Sequence, residues 1–146
     1  MGMAYQRKLE PGVKGYCEHV LRNYHREIIE LNRAKNDLIP SYTTSMTPTA
    51  GIHGGGQSRT TEQTVLLIAG DPYIQGLERR VKAVDRVLET SDAIDKSLLA
   101  SVYWKRERNV EGTAALLEIS KSVAYDRLNK ILVSLAINLG LVKKVA

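Results

Sequence analysis

Four polar side chains fall on one side of a predicted helix near the carboxyl end of the chain: Ser122, Tyr125, Asp126 and Asn129. Their offsets place them on one face of an α-helix. Ala124, Leu128 and Ile131 take the opposite face. Short polar groups and an aromatic ring are side chains that reach base edges in the major groove of DNA. The spacing therefore predicts a helix that reads a base sequence.

Positively charged side chains flank this face and precede it. Lys121 lies in the first turn of the predicted helix, and we count it with the four polar residues as a predicted base contact. The predicted phosphate contacts are Lys105, Arg106, Arg108, Arg127 and Lys130. The first three form the densest basic run of the chain and stand where a preceding helix would cross the DNA backbone. A solvated loop explains that run equally well.

Two short helices joined by a tight turn are predicted by the stretch NVEGTAALLEISKSVAYDRL, residues 109–128. The first helix has apolar residues at Val110, Ala114 and Leu117, and their spacing is that of one helical face. Ile119 lies in the turn, where it can fill the space between the helices. This is the pattern of a helix-turn-helix, whose second helix enters the major groove.

The second helix has both a start signal and a stop signal. Ser120 is a good N-cap, because its hydroxyl accepts a hydrogen bond from an unpaired backbone N–H. Apolar residues then recur every three to four positions, so the helix is predicted to reach Asn138 and to stop at Gly140. An ordinary amphipathic helix with a solvated face is the simpler alternative, and a helix-turn-helix that binds only protein is another.

This stretch, extended to NVEGTAALLEISKSVAYDRLNKI, resembles the fourth conserved region of sigma-70-type factors, which binds DNA. The whole chain resembles the RinA/ArpU group of small phage transcriptional activators. Three segments carry that resemblance and cover most of the chain outside its middle: GYCEHVLRNYHREIIEL, DPYIQGLERRVKAVDRVLE and ISKSVAYDRLNKILVSLAINLG.

The resemblance implies a sequence-specific activator of late genes of phages or prophages, including packaging and lysis operons. It also implies RNA polymerase as a second partner. Carried over by position, the recognition residues are Lys121, Ser122, Tyr125 and Asp126.

Two positions depart from the sigma-type pattern. Glu118 stands where a turn glycine is common, and a non-glycine residue in a left-handed conformation costs about 1–2 kcal/mol. Thr113 replaces a larger apolar residue, which predicts looser packing of the first helix.

The predicted fold class is all-α, in three zones. Residues 1–39 form an amino-terminal amphipathic arm, predicted as one helix from about Pro11 to Asp37. Residues 40–70 form a Ser/Thr/Gly/Pro-rich linker that contains a short helix, and residues 71–146 form the helical DNA-binding domain.

Local signals mark the helix starts outside the helix-turn-helix. Thr60 with Gln63 resembles a capping box, which predicts that the short helix begins after the linker PSYTTSMTPTAGIHGGGQSR. Asp71-Pro72 predicts the start of a long helix. Its apolar seam packs on neighbouring helices or forms a short coiled coil. Ser91 is predicted to cap the next helix, and Trp104 to anchor the end of that helix against the helix-turn-helix.

The composition favours a polyanionic partner and disfavours several other classes of protein. The net charge is +5 over 146 residues, as expected for a protein that binds double-stranded DNA. A single Cys excludes an internal disulfide framework and fits a reducing cytosol. No secretory signal is visible, and the terminal run ILVSLAINLGLV is too short to span a bilayer. We therefore expect a cytoplasmic protein of the bacterial host cell without membrane contact.

An enzyme is the weaker hypothesis, and no cofactor or metal is expected. His19, His25 and His53 do not cluster, and the paired carboxylates Asp92 and Asp95 at a helix start are explained more simply by capping. Two non-enzymatic alternatives stay open. A small terminase subunit of a phage would combine a helix-turn-helix with helices that assemble into a homo-oligomeric ring. A polymerase-binding protein would use the same fold without reading DNA.

Overall fold

The computed structural model describes residues 8–39 and 54–144 of the chain. All regular secondary structure in these two stretches is helical, which confirms the predicted all-α class. The helices are α1 (Pro11–Arg22), α2 (Tyr24–Asp37), α3 (Gly54–Gly70), α4 (Pro72–Glu89), α5 (Ala93–Leu99), α6 (Val110–Leu116) and α7 (Lys121–Asn138), and a π-helical segment, Ala100–Trp104, directly follows α5.

The chain divides into two compact units. The larger comprises Met1–His25 and Arg80–Ala146, and the smaller comprises Arg26–Arg79. The segment predicted as an amino-terminal arm is therefore shared between the units, and α1 groups with α5, α6 and α7. No helix within the described residues is long and apolar enough to cross a membrane.

The core of the larger unit is built around α7, which contacts α1, α5 and α6. Leu21 of α1, Leu99 of α5 and Leu135 of α7 are fully buried in one hydrophobic cluster. Helix α7 buries one stripe along its length: Ala124, Leu128, Ile131, Leu132, Leu135 and Ala136. Burying a Leu side chain stabilises a fold by about 1.5–3 kcal/mol, so this stripe fixes which side of α7 faces solvent.

Within the larger unit, two aromatic side chains of the π-helical segment form hydrogen bonds to α1. The Tyr103 hydroxyl donates a hydrogen bond of 2.9 Å to Glu18 Oε2, and Trp104 Nε1 donates one of 2.9 Å to the Leu21 carbonyl. The Trp104 ring also stacks on Tyr24. The prediction that Trp104 anchors against the helix-turn-helix is therefore wrong, since its hydrogen-bond and ring partners lie at the end of α1 and the start of α2.

The single helix predicted from Pro11 to Asp37 is interrupted at Asn23. The Asn23 side chain donates from Nδ2 to the carbonyl of His19 at 2.9 Å, and the Asn23 backbone N–H donates to the same carbonyl at 3.1 Å. Asparagine competes in this way with regular helical bonding, which makes it a common helix boundary. The Tyr24 hydroxyl then donates to the carboxylate of Asp85 in α4.

Of the predicted starts of α4 and α5, one is confirmed and the other is shifted by one residue. Asp92, not Ser91, caps α5 by accepting the backbone N–H of Asp95 at 2.9 Å. The Ser91 hydroxyl instead donates at 2.7 Å to the carbonyl of Val87, which lies in the last turn of α4. The predicted cap at Asp71 is confirmed, since its carboxylate accepts the N–H of Tyr73 at 2.9 Å.

Helix α3 begins earlier than the capping-box pattern predicts. It starts at Gly54, so Thr60 and Gln63 lie inside the helix, and the last six residues of the predicted linker are helical. The pattern misleads because residues three apart are also neighbours on the surface of a helix. The rest of that linker, residues 40–53, lies outside the described residues, and His53 with it.

The smaller unit holds α2 against the start of α4 through polar contacts. The Tyr73 hydroxyl donates to Glu30 Oε2 at 2.8 Å, and Lys35 Nζ lies 3.3 Å from Glu78 Oε1. Leu31, Ile74 and Leu77 are the buried apolar side chains among the residues of this unit whose burial the structure describes. The apolar end of α3 contrasts with them, since Val65, Leu66 and Leu67 are all more than half exposed.

Candidate nucleic-acid interface

Helices α6 and α7 are connected by four residues, 117–120, and the connection is closed by backbone hydrogen bonds. The N–H of Ile119 donates to the Ala114 carbonyl at 3.0 Å, and that of Glu118 donates to the Ala115 carbonyl at 3.2 Å. This pair of bonds is a Schellman motif, in which one residue takes a left-handed conformation. Glu118 is that residue, with φ 58°. The Ile119 side chain packs against the core, as the sequence predicts.

We expect Glu118→Gly to stabilise the protein. A non-glycine residue in the left-handed region costs about 1–2 kcal/mol. Glycine removes this cost but loses more conformational entropy on folding, which offsets about 0.5–1 kcal/mol of the gain. The net gain in the free energy of unfolding should be about 0.5–1 kcal/mol, measured by urea denaturation. Glu118→Ala keeps the strained conformation and serves as the control. Equal stability of the Ala and Gly variants would show that the Glu side chain, not the backbone, is responsible.

Thr113 is accommodated in the core rather than loosening it. It is 1% exposed, and its hydroxyl donates to the Asn109 carbonyl at 2.9 Å. A buried hydroxyl costs little once its hydrogen bond is made. The expectation of looser packing at this position is therefore wrong.

Both predicted ends of α7 are confirmed. The Ser120 side chain accepts the N–H of Val123 at 3.1 Å, as an N-cap does. After Asn138 the chain turns at Gly140, whose φ of 76° is the left-handed conformation that glycine adopts without strain. The N–H of Leu141 closes this end by donating to the Ala136 carbonyl at 2.9 Å. The first turn of α7 thus lies at the surface, directly after the connection from α6.

The residues predicted to contact bases lie along the first three turns of α7. Lys121, Ser122 and Asp126 are exposed, and Tyr125 is 47% exposed. Asn129, one turn further on, is half-buried. The structure therefore brings the five together on one helix, with the amino-terminal residues of the set the most accessible.

Lys121 also links the two helices. Its Nζ lies 3.6 Å from Glu111 Oε1 in the first turn of α6, and the two side chains are 66% and 54% exposed. An exposed pair of this kind contributes at most about 1 kcal/mol and is screened by salt. The ammonium group can therefore exchange its carboxylate partner for another anion at low cost.

Arg127 is engaged within the protein, and its phosphate contact stays a prediction. Its Nη1 donates to Asp92 Oδ2 at 2.9 Å and to Asp95 Oδ1 at 3.0 Å. Its side chain is 30% exposed. The backbone N–H of Asp95, followed by the guanidinium of Arg127, lowers the pKa of Asp92. Both carboxylates thus lie around one arginine, on the side of α7 that faces α5.

The remaining predicted phosphate contacts are exposed. Lys105, Arg106 and Arg108 lie between the π-helical segment and Asn109, which caps α6. Arg106 has a φ of 55°, and such a conformation in a non-glycine residue is strained and concentrates at functional sites. Lys130, on α7, is exposed and lines a groove with Arg127.

This groove runs between α7 and the connection from α4 to α5 and has a volume of about 550 Å³. Its apolar lining includes Val87 and Val123, and Asp95, Asp126 and Lys130 contribute its charges. Charges of both signs line it, so it does not form a continuous basic track for a phosphate backbone. The basic run of Lys105, Arg106 and Arg108 lies instead before α6, where Glu107 interrupts it and its carboxylate lies 3.6 Å from Arg108 Nη1.

Groups that could support other chemistry are separated or inert. Cys17 is fully buried, and burial, helped by the charge of Glu18, raises its pKa to about 11. A thiol in that state is a poor nucleophile. Within residues 8–39 and 54–144, no three His, Cys, Asp or Glu side chains are grouped as a metal site requires.

Comparison of the chain with known proteins leaves the site to be interpreted from its own residues. No protein-family model, no curated protein and no solved structure matches it.

Proposed function

We propose that the protein is a sequence-specific DNA-binding regulator of transcription. In this proposal α6 and α7 act as a helix-turn-helix, and α7 enters the major groove. The observation that carries it is the exposed amino-terminal face of α7, where Ser122, Tyr125 and Asp126 face solvent while the opposite face is buried. An α-helix about 10–12 Å wide fits a groove of about 12 Å.

The two halves of α7 support different roles. In a helix-turn-helix the amino-terminal residues of the second helix contact bases. In α7 those residues are exposed, whereas Leu132, Leu135 and Ala136 in the second half are buried in the core. The core thus supports the helix from behind, which suits a rigid reading element.

The resemblance to sigma-type factors and to the RinA/ArpU group supplies the biological setting of the proposal. In that setting the protein activates late genes of a phage or prophage in a bacterial host and contacts RNA polymerase as well as promoter DNA. The basic stretch Lys105–Arg108 suits the DNA part, because phosphate contacts from a neighbouring segment fix the register of a reading helix.

The direct test is selection of bound DNA from a random duplex pool by the full chain. The proposal expects enrichment of a defined motif, with a specific affinity about 10³-fold or more above non-specific binding. Binding without enrichment, or no binding, would overturn it. The mass of the protein in solution decides between the phage roles. A ring of many subunits would indicate a small terminase subunit instead of an activator.

Removing the charges before α6 should weaken binding to all DNA sequences alike. For the double variant Arg106→Asn, Arg108→Gln, the slope of log affinity against log salt should become less steep by roughly 2, since each phosphate contact contributes about 0.9. Asparagine is used at position 106 because it tolerates a positive φ. Fluorescence anisotropy over a salt series measures the slope.

The matched control removes two exposed charges from α2, Arg26→Gln and Arg33→Gln. These two substitutions should leave the salt slope equal, within error, to that of the unmodified protein. Equal slopes for both double variants would show that total charge governs binding, and that the basic stretch makes no phosphate contact.

A further inference from the structure

We infer that Arg127 is a positioning residue, which fixes the orientation of the reading face by clamping α7 to the start of α5. The inference rests on the proposed function and goes beyond it, because it assigns sequence selectivity to three residues that touch no DNA. They are Arg127, Asp92 and Asp95.

The clamp joins two distant parts of the chain, because Arg127 is 35 residues from Asp92 and 32 from Asp95. One nitrogen of Arg127, Nη1, is shared by both carboxylate oxygens of Asp92, at 3.1 and 2.9 Å, and by Asp95 Oδ1 at 3.0 Å. Asp92 is at the same time the N-cap of α5. The guanidinium is therefore fixed to the first turn of α5, and through it α7 is held at the level of Tyr125 and Asp126.

The clamp is stronger than one other polar link at the first turns of α7. The other, Lys121 with Glu111, joins mostly exposed groups at 3.6 Å. In the clamp, the side chains of Arg127 and Asp95 are 30% and 19% exposed, and that of Asp92 is 57% exposed. Shorter, charge-assisted hydrogen bonds between less exposed groups are stronger and less screened by salt. The buried stripe fixes which side of α7 faces solvent, and the clamp adds the stronger polar restraint on its first turns, from the α5 side.

The same geometry separates this role from a phosphate contact. A phosphate that approached Arg127 would also approach the carboxylates of Asp92 and Asp95, whose negative charges repel it. While the clamp is closed, Arg127 offsets one of the two negative charges of Asp92 and Asp95, so the pair repels DNA less than it would alone. Arg127 then contributes to binding through the orientation of its helix, not through its own charge.

The test uses Arg127→Gln, the pair Asp92→Asn with Asp95→Asn, and all three changes together. Asparagine at position 92 preserves the N-cap. Each measurement gives the ratio of affinities for the selected motif and for unrelated DNA, at several salt concentrations. We expect Arg127→Gln and the Asn pair each to lower this ratio roughly tenfold, and the triple variant to lower it no further, as residues in one network do. The salt slope should change by less than the roughly 0.9 of one phosphate contact.

Tyr24→Phe is the matched structural control, since it removes a hydrogen bond to Asp85 in the same unit without touching α7. It should leave the ratio unchanged even where it lowers stability. Arg127→Gln is measured with Asp92 and Asp95 unchanged and with both replaced by Asn. If it reduced the salt slope by about 0.9 in either case, Arg127 would contact a phosphate and the inference would be overturned. An unchanged ratio in all clamp variants would also overturn it. Failure of the unmodified protein to select any motif would instead overturn the proposed function, and the inference with it.

Discussion

Replacing Tyr125 or Asp126 with Ala is expected to change which DNA sequence the protein prefers, by about 1–3 kcal/mol at the contacted base pair. Both side chains are exposed on the second turn of α7, and neither belongs to the core cluster. The effect on the free energy of unfolding should therefore stay within about 0.5 kcal/mol. The measurement is a set of affinities for the selected motif and its single-base variants.

The two changes should affect the preference differently. An exposed carboxylate accepts a hydrogen bond from the amino group of cytosine, so loss of Asp126 should relax a cytosine preference. A tyrosine ring reaches the thymine methyl group through apolar contact, so loss of Tyr125 should relax a thymine preference. Each variant should thus lose selectivity at one position of the motif and keep it at the others.

Exposed residues of the same types supply the controls. Tyr16 on α1 is 40% exposed, close to the 47% of Tyr125, and Asp37 ends α2 in solvent. Tyr16→Ala and Asp37→Ala should leave the base preferences intact. If all four variants kept the preferences of the unmodified protein, the reading face would have to lie elsewhere than on the first turns of α7.

The sequence predicted the local features of the site well, because their causes lie within a few residues. Ser120 caps the residue three positions later, and Gly140 ends α7 with bonds that reach back no further than Ala136. The strain at Glu118 follows from its own φ, which the turn pattern requires. Such signals depend on backbone chemistry that is the same in every helix.

The contacts that the sequence did not predict join distant parts of the chain. Arg127 follows the helical pattern of a groove-flanking cation, but its carboxylate partners are 35 and 32 residues away. Trp104 donates to the carbonyl of Leu21, 83 residues away. Periodicity indicates which side of a helix is buried, but not which helix covers it. The positions of polar partners depend on the packing of the helices, which no local pattern contains.

Leu135→Ala is expected to have the largest effect on stability of the changes considered, lowering the free energy of unfolding by about 2–5 kcal/mol. Leu135 is fully buried in the second half of α7, the helix that contacts α1, α5 and α6. Truncating it removes apolar contacts and leaves a cavity that the surrounding helices fill only in part. Urea denaturation, followed by the fluorescence of Trp104, the single tryptophan, reports the change in the larger unit.

Leu116→Ala is the matched control, because Leu116 ends α6 with 60% of its surface exposed. This variant should lose less than about 1 kcal/mol. A loss of similar size in both variants would mean that α7 is not packed through its second half as described. The same pair separates folding from recognition. At low temperature and without urea, folded Leu135→Ala should keep the base preferences of the unmodified protein, since its change lies behind the reading face. Loss of those preferences in a folded sample would show that the core, as well as the clamp at Arg127, sets the orientation of α7.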